Sequence, residues 1–93
     1  MTVGTLEIKL LVRQSRSLKD KRRVIRSLKD RIRNRHNVSV AEVGALQSRQ
    51  QAILGVAMVG NDAQYIDAAL AKIIDIVRFD RTAELLDYEL EIF

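Results

Sequence analysis

The sequence predicts an α+β fold of order βαββαβ, with two helices on one face of a four-stranded antiparallel sheet. Three observations carry this expectation. Stretches near both ends of the chain alternate apolar and polar residues, and two longer stretches repeat apolar residues every three or four positions. No Pro/Gly-rich linker or low-complexity segment interrupts them, and 93 residues suit one domain, taken as 1–93.

Leu6, Ile8, Leu10 and Val12 alternate with Thr5, Glu7, Lys9 and Leu11, the pattern of a half-buried first strand. Ser17 then offers an N-cap, with Asp20 three residues later in a capping-box arrangement. The helix that follows has Leu18, Ile25, Leu28 and Ile32 on one face and Val24 at its margin. NVSVAEVGAL reads as a second strand whose inward phase slips between Val40 and Val43, which predicts a bulge. After a polar turn at Gln47 to Gln51, AILGVAMVG is apolar on both faces and is expected to be central. Asn61 or Asp62 caps a second helix with Ile66, Leu70, Ile73, Ile74 and Val77 inward. Leu86, Tyr88, Leu90 and Ile92 alternate with Asp87, Glu89 and Glu91 in the last strand. This order is the ferredoxin-like arrangement, which hosts many functions and decides none.

Charge is distributed unevenly. The net charge is +4, yet residues 13–35 hold eleven Lys/Arg against two Asp, and the rest of the chain holds five against ten Asp/Glu. One side of the molecule is therefore expected to be basic and the other acidic, which bears on partners more than on fold. Within SRSLKDKRRVIRSLKDRIRNR, residues Lys19, Arg22, Arg23, Arg26, Lys29 and Arg33 fall within an arc of roughly 120° on one helix flank. A charge run is usually a solvated face. Here the pairs Lys19/Arg23, Arg22/Arg26 and Lys29/Arg33 place like charges at i,i+4, each costing about 0.2–0.5 kcal/mol. Lys19, Lys21 and Arg22 also lie in or near the first turn, where the helix dipole disfavours cations. Arg13 and Arg16 precede the helix, where orphan N–H groups and two guanidinium groups would form a phosphate site.

These residues predict a non-catalytic protein that binds RNA, with Arg13, Arg16, Lys19, Arg22, Arg23, Arg26, Lys29 and Arg33 contacting phosphates. The first and third strands carry no aromatic residue on which bases could stack, and Glu7, Asp87, Glu89 and Glu91 would share the open sheet face with Lys9. Binding through the helix side, to backbone and shape, is what remains. The alternative is a self-associating or regulatory module acting through its sheet face or edge strand, with Val3, Leu11 and Leu85 adding apolar area there.

No enzyme is expected. His36 is the only histidine and cysteine is absent, so neither a Ser-His-Asp set nor a thiolate metal site can be argued, and no cofactor or metal is expected. The loop VRQSRS lacks the glycines with which acylphosphatase, an enzyme of similar size and fold, wraps a phosphate. The longest uncharged stretch, QQAILGVAMVGN, is 12 residues, against the ~20 that span a bilayer. The start lacks a basic n-region and holds Glu7 inside its apolar run, a poor signal peptide. A cytoplasmic protein with no membrane partner is expected, since the helix needs its apolar face to cover the sheet.

The run RSLKDKRRVIRSLKDRIRNRHNVSVAEV, with LGVAMVGND and LLDYELEIF, resembles the YlxP-like family of small bacterial proteins of unknown function. The resemblance covers nearly the whole chain. It implies a ferredoxin-like fold, a cytoplasmic bacterial protein, and an association by gene neighbourhood with translation and ribosome-maturation factors. It brings no catalytic residue. The chain departs from the family pattern in RQSRS, which lacks a Pro-Gly, at His36, where Phe is common, and at Arg49, where Trp is frequent.

Overall fold

Alternation along the first strand sends Leu6, Ile8 and Leu10 to one face, where all three are fully buried opposite Val56, Leu54 and Ala52. In the computed structural model, which describes residues 1–93, the elements are β1 (Thr2–Leu11), α1 (Leu18–Arg35), β2 (Ser39–Gly44), β3 (Gln51–Gly60), α2 (Ala63–Arg78) and β4 (Glu84–Ile92). The strands form one sheet in the order β2-β3-β1-β4, every neighbouring pair antiparallel. The ferredoxin-like reading is borne out. β3 is central, as its two-sided apolar pattern requires.

Both helices start where their caps predict. Ser17 Oγ accepts from Asp20 N at 3.1 Å, and Asp20 Oδ2 accepts from the backbone N–H of Arg16 at 3.1 Å, one residue before the cap. Asp62 caps α2, its Oδ1 accepting from Gln64 N at 2.9 Å. Ile25, Leu28 and Ile32 of α1 and Ile66, Leu70, Ile73 and Val77 of α2 are buried against the sheet, and together with the inner strand residues they make one core.

Two strand phases differ from the sequence reading. In β2 the register shifts between Glu42 and Gly44, so the extra residue is Val43. The bulge is where the pattern predicts it, but it turns Val43 to the open face, where it is 55% exposed. Glu42, opposite Leu54, points inward instead. In β4 a second bulge, absent from the sequence reading, lies at Leu86, because Lys9 pairs with Asp87 while Leu10 pairs with Leu85. Leu85 therefore packs on the core and does not add apolar area to the open face. The bulge lets both Leu85 and Leu90 face the helices with Leu86 left half-exposed.

Gly4 sets how closely α2 approaches the sheet. A Cβ there would lie 2.3 Å from Ile66 Cγ2 and 2.9 Å from Leu70 Cδ1, inside the helix that covers β1. Gly4→Ala is expected to destabilise the protein by about 1–3 kcal/mol through overpacking. A urea midpoint unchanged from wild type would contradict this close approach.

Candidate nucleic-acid interface

The two flanks of α1 do different things. On the flank towards α2, Arg31 pairs with Asp80 in the segment after α2. The other flank carries the basic stripe and borders β2, where Arg33 donates from Nη2 to the carbonyl of Val40 at 2.9 Å. Lys19, Arg22, Arg23 and Arg26 are exposed and Lys29 is half-buried. None of these five has a carboxylate within ion-pair distance. Arg33 is held on two sides, since Asp30 also approaches its Nη1 at 3.6 Å.

The loop before α1 is knitted to the β2–β3 hairpin. Buried Ser15 Oγ is shared between the carbonyl of Arg49 at 2.6 Å and that of Ser17 at 2.9 Å. Gln50 Nε2 donates back to the carbonyls of Arg13 and Ser15 at 3.1 and 3.3 Å. This brings Arg16 and Arg49 to one cleft of about 490 Å³, which Ser48 of the hairpin also lines. Neither guanidinium has a carboxylate partner.

Arg13 stands apart from that cleft. Its Nε donates to Glu84 Oε2 at 2.6 Å, and Nη2 lies 3.4 Å from Oε1. The hydrogen bond and the charge of Glu84 raise the guanidinium pKa, and Arg13 in turn lowers that of Glu84. The pair is exposed, so water screens it and its contribution to stability is small. The pairing of Arg13 with Arg16 at the helix start is therefore corrected: the second guanidinium beside Arg16 is Arg49, supplied by a hairpin 33 positions away in sequence.

A residue outside the predicted stripe organises this end of the molecule. Lys21 is fully buried, although it stands among nine other cations between Ser15 and Arg35. Its Nζ donates to the carbonyls of Ala45 at 2.9 Å and Gln51 at 3.1 Å, at the two ends of the hairpin. Glu42 Oε2 lies 3.0 Å from the same nitrogen, an ion-pair distance, yet outside hydrogen-bonding geometry and with no hydrogen-bond partner. The carbonyls thus supply directed bonds and the carboxylate supplies charge. Ala45 takes a left-handed φ of 56°, a strained conformation for a residue with a Cβ. Its carbonyl also accepts from Ser48 N at 3.0 Å, so two donors hold the strained turn.

The open sheet face is acidic, as expected. Glu7 stands directly opposite Glu89, Thr5 opposite Glu91 and Lys9 opposite Asp87. None of these four carboxylates is in an ion pair. Glu7 facing Glu89 is a like-charge cross-strand pair, which is destabilising.

Residues 3–90 match the family described as "Protein of unknown function (DUF503)". The chain belongs to that family. It is 28% identical over 72 residues to "Uncharacterized protein YlxP" of Bacillus subtilis (strain 168), covering 77% of this chain and 78% of that protein. The solved structure of "De novo designed protein Foldit4" superposes on all of this chain and 97% of its own length. Its TM-score is 0.55 at 14% identity, a likeness of fold alone. No helix of this DUF503 chain is long and apolar enough to cross a membrane.

Proposed function

We propose that this protein is a non-catalytic RNA-binding protein whose α1 flank lies along phosphates, with ribosomal RNA or an assembling ribosomal particle as its partner. One observation carries the reading: Arg16, Lys19, Arg22, Arg23, Arg26 and Lys29 have no carboxylate within ion-pair distance, while four unpaired acids, Glu7, Asp87, Glu89 and Glu91, lie on the opposite sheet face. An exposed surface made for solubility would intersperse glutamates and lose the i,i+4 repulsion between Lys19 and Arg23 and between Arg22 and Arg26. Arg49 extends the cationic track around the hairpin beside Arg16. From Arg22 to Arg33 the helix runs ~16 Å, room for several backbone contacts. The ribosomal target is what the YlxP-like family resemblance implies through its gene neighbourhood.

The test is binding to ribosomal RNA and co-sedimentation with ribosomal subunits across a salt series. With about five phosphates neutralised, log K falls against log salt with a slope of roughly −3.5 on single strands or −4.5 on duplex. A salt-independent association, or none at low salt, overturns the proposal. The second reading, self-association, draws on the unpaired Glu7, Glu89 and Glu91 of the open face. It predicts instead a mass in solution that falls when Glu89 and Glu91 are replaced by lysine.

A further inference from the structure

A groove of about 500 Å³ between the end of α1 and the second half of α2 plays no part in the stripe. It is lined by Arg31, Arg35, His36, Lys72, Ile76 and Phe79, together with Asp75. Two of its charges are already spent, Arg31 on Asp80 and Asp75 on Arg78. Arg35 and Lys72 have no carboxylate partner. The dipole of α1 explains a cation at Arg35 without any ligand. Lys72 lies in the middle of α2 and has no such explanation. Beside these cations Phe79, the C-cap of α2, is 79% exposed, and Ile76 supplies an apolar wall. A flat aromatic face next to two unneutralised cations is the chemistry that holds a nucleobase and its phosphate together.

We propose that this groove binds an unpaired nucleotide, free or within single-stranded RNA, with the base stacked on Phe79 and the phosphate held by Arg35 and Lys72. The site lies off the stripe and does not depend on it. His36 reports on it. The charged groups around this half-buried imidazole are Arg31 and Arg35 of its own helix and Lys72 and Asp75 of α2. Its pKa is lowered from the ordinary histidine value, first by burial and then by Lys72 and Arg35. A phosphate between those cations offsets their field and moves the pKa back up.

His36 is the only histidine, so its ring resonances can be followed by NMR through a pH titration of the full chain. The titration is run alone and with adenosine 5′-monophosphate, inorganic phosphate or a short oligoadenylate. Both adenine ligands are expected to raise the His36 pKa, and Phe79→Ala to weaken both by about fivefold or more. Inorganic phosphate, which cannot stack, binds more weakly and is indifferent to Phe79→Ala. Lys72→Gln is expected to raise the pKa of the free protein and to blunt the further rise with either ligand. Tighter binding of oligoadenylate than of the mononucleotide assigns the site to RNA; the reverse order assigns it to free nucleotides. An unmoved His36 with both ligands, or a response that Phe79→Ala leaves intact, overturns the proposal. Both substituted side chains are exposed, and thermal midpoints check that the variants fold. The mononucleotide reads the groove without the α1 flank, so failure here and failure of the salt series are seen separately.

Discussion

Lys21→Met is expected to cost this protein about 3 kcal/mol, within the range for removing one partner of a buried ion pair. For a domain of this size that lowers the thermal midpoint by roughly 12–24 °C. The methionine fills nearly the same volume, so the loss is not a cavity effect. It arises because Glu42, whose side chain is only 14% exposed, loses its cation. The carbonyls of Ala45 and Gln51 lose a donor at the same time. Adding Glu42→Leu is expected to restore part of the stability, since an apolar pair of similar size replaces a buried ion pair at little cost. It does not restore the two hairpin bonds, and the double variant stays below wild type. Denaturant titration of the three proteins checks the cycle. A Lys21→Met midpoint equal to wild type would show that the hairpin and α1 are held together by packing alone.

Charge reversal on the stripe has the largest functional effect. Arg22→Glu, Arg26→Glu and Lys29→Glu together are expected to reduce RNA affinity at least about a hundredfold and to flatten the salt slope by roughly 2–3. Each removed contact returns about one counterion's worth of slope, and each new carboxylate repels the same phosphates. The fold should survive, because none of the three has an internal partner. A carboxylate at position 22, in the first turns of α1, also suits the helix dipole better than a guanidinium does. A binding assay at several salt concentrations, paired with a thermal melt, separates lost contact from lost structure. Full retention of affinity by a folded triple variant removes the stripe from the interface.

Side-chain pairing relieves two of the charge conflicts along α1. Lys21 in the first turn was a conflict with the dipole, but its ammonium is spent on Glu42 and two carbonyls and asks for no external anion. The Lys29/Arg33 repulsion is likewise relieved, because Arg33 turns to Val40 and Asp30. Lys19/Arg23 and Arg22/Arg26 keep their full force. Lys21 was legible in principle: it stands four residues before Ile25 and seven before Leu28, in the middle of the apolar face of α1. Glu42, two residues after inward Val40, is in the same phase on β2. Opposite charges at inward positions on two neighbouring elements are a sequence signal for a buried pair, hidden here because Lys21 stands in a run of other cations.

Local chemistry settled most of the architecture. Alternation, helical spacing and the Ser17 and Asp62 caps depend on neighbours a few residues apart, so β1, α1, β3 and α2 could be read along the chain together with the basic flank of α1. Which cations are free could not be read that way. Arg13 finds Glu84 and Arg31 finds Asp80 across 71 and 49 positions, Arg49 arrives beside Arg16 from another loop, and Arg35 meets Lys72 and Phe79 of α2 only once the helices pack. A charge pairs with whatever lies within a few ångströms, and that distance is set by the folded sheet and helices and not by separation along the backbone.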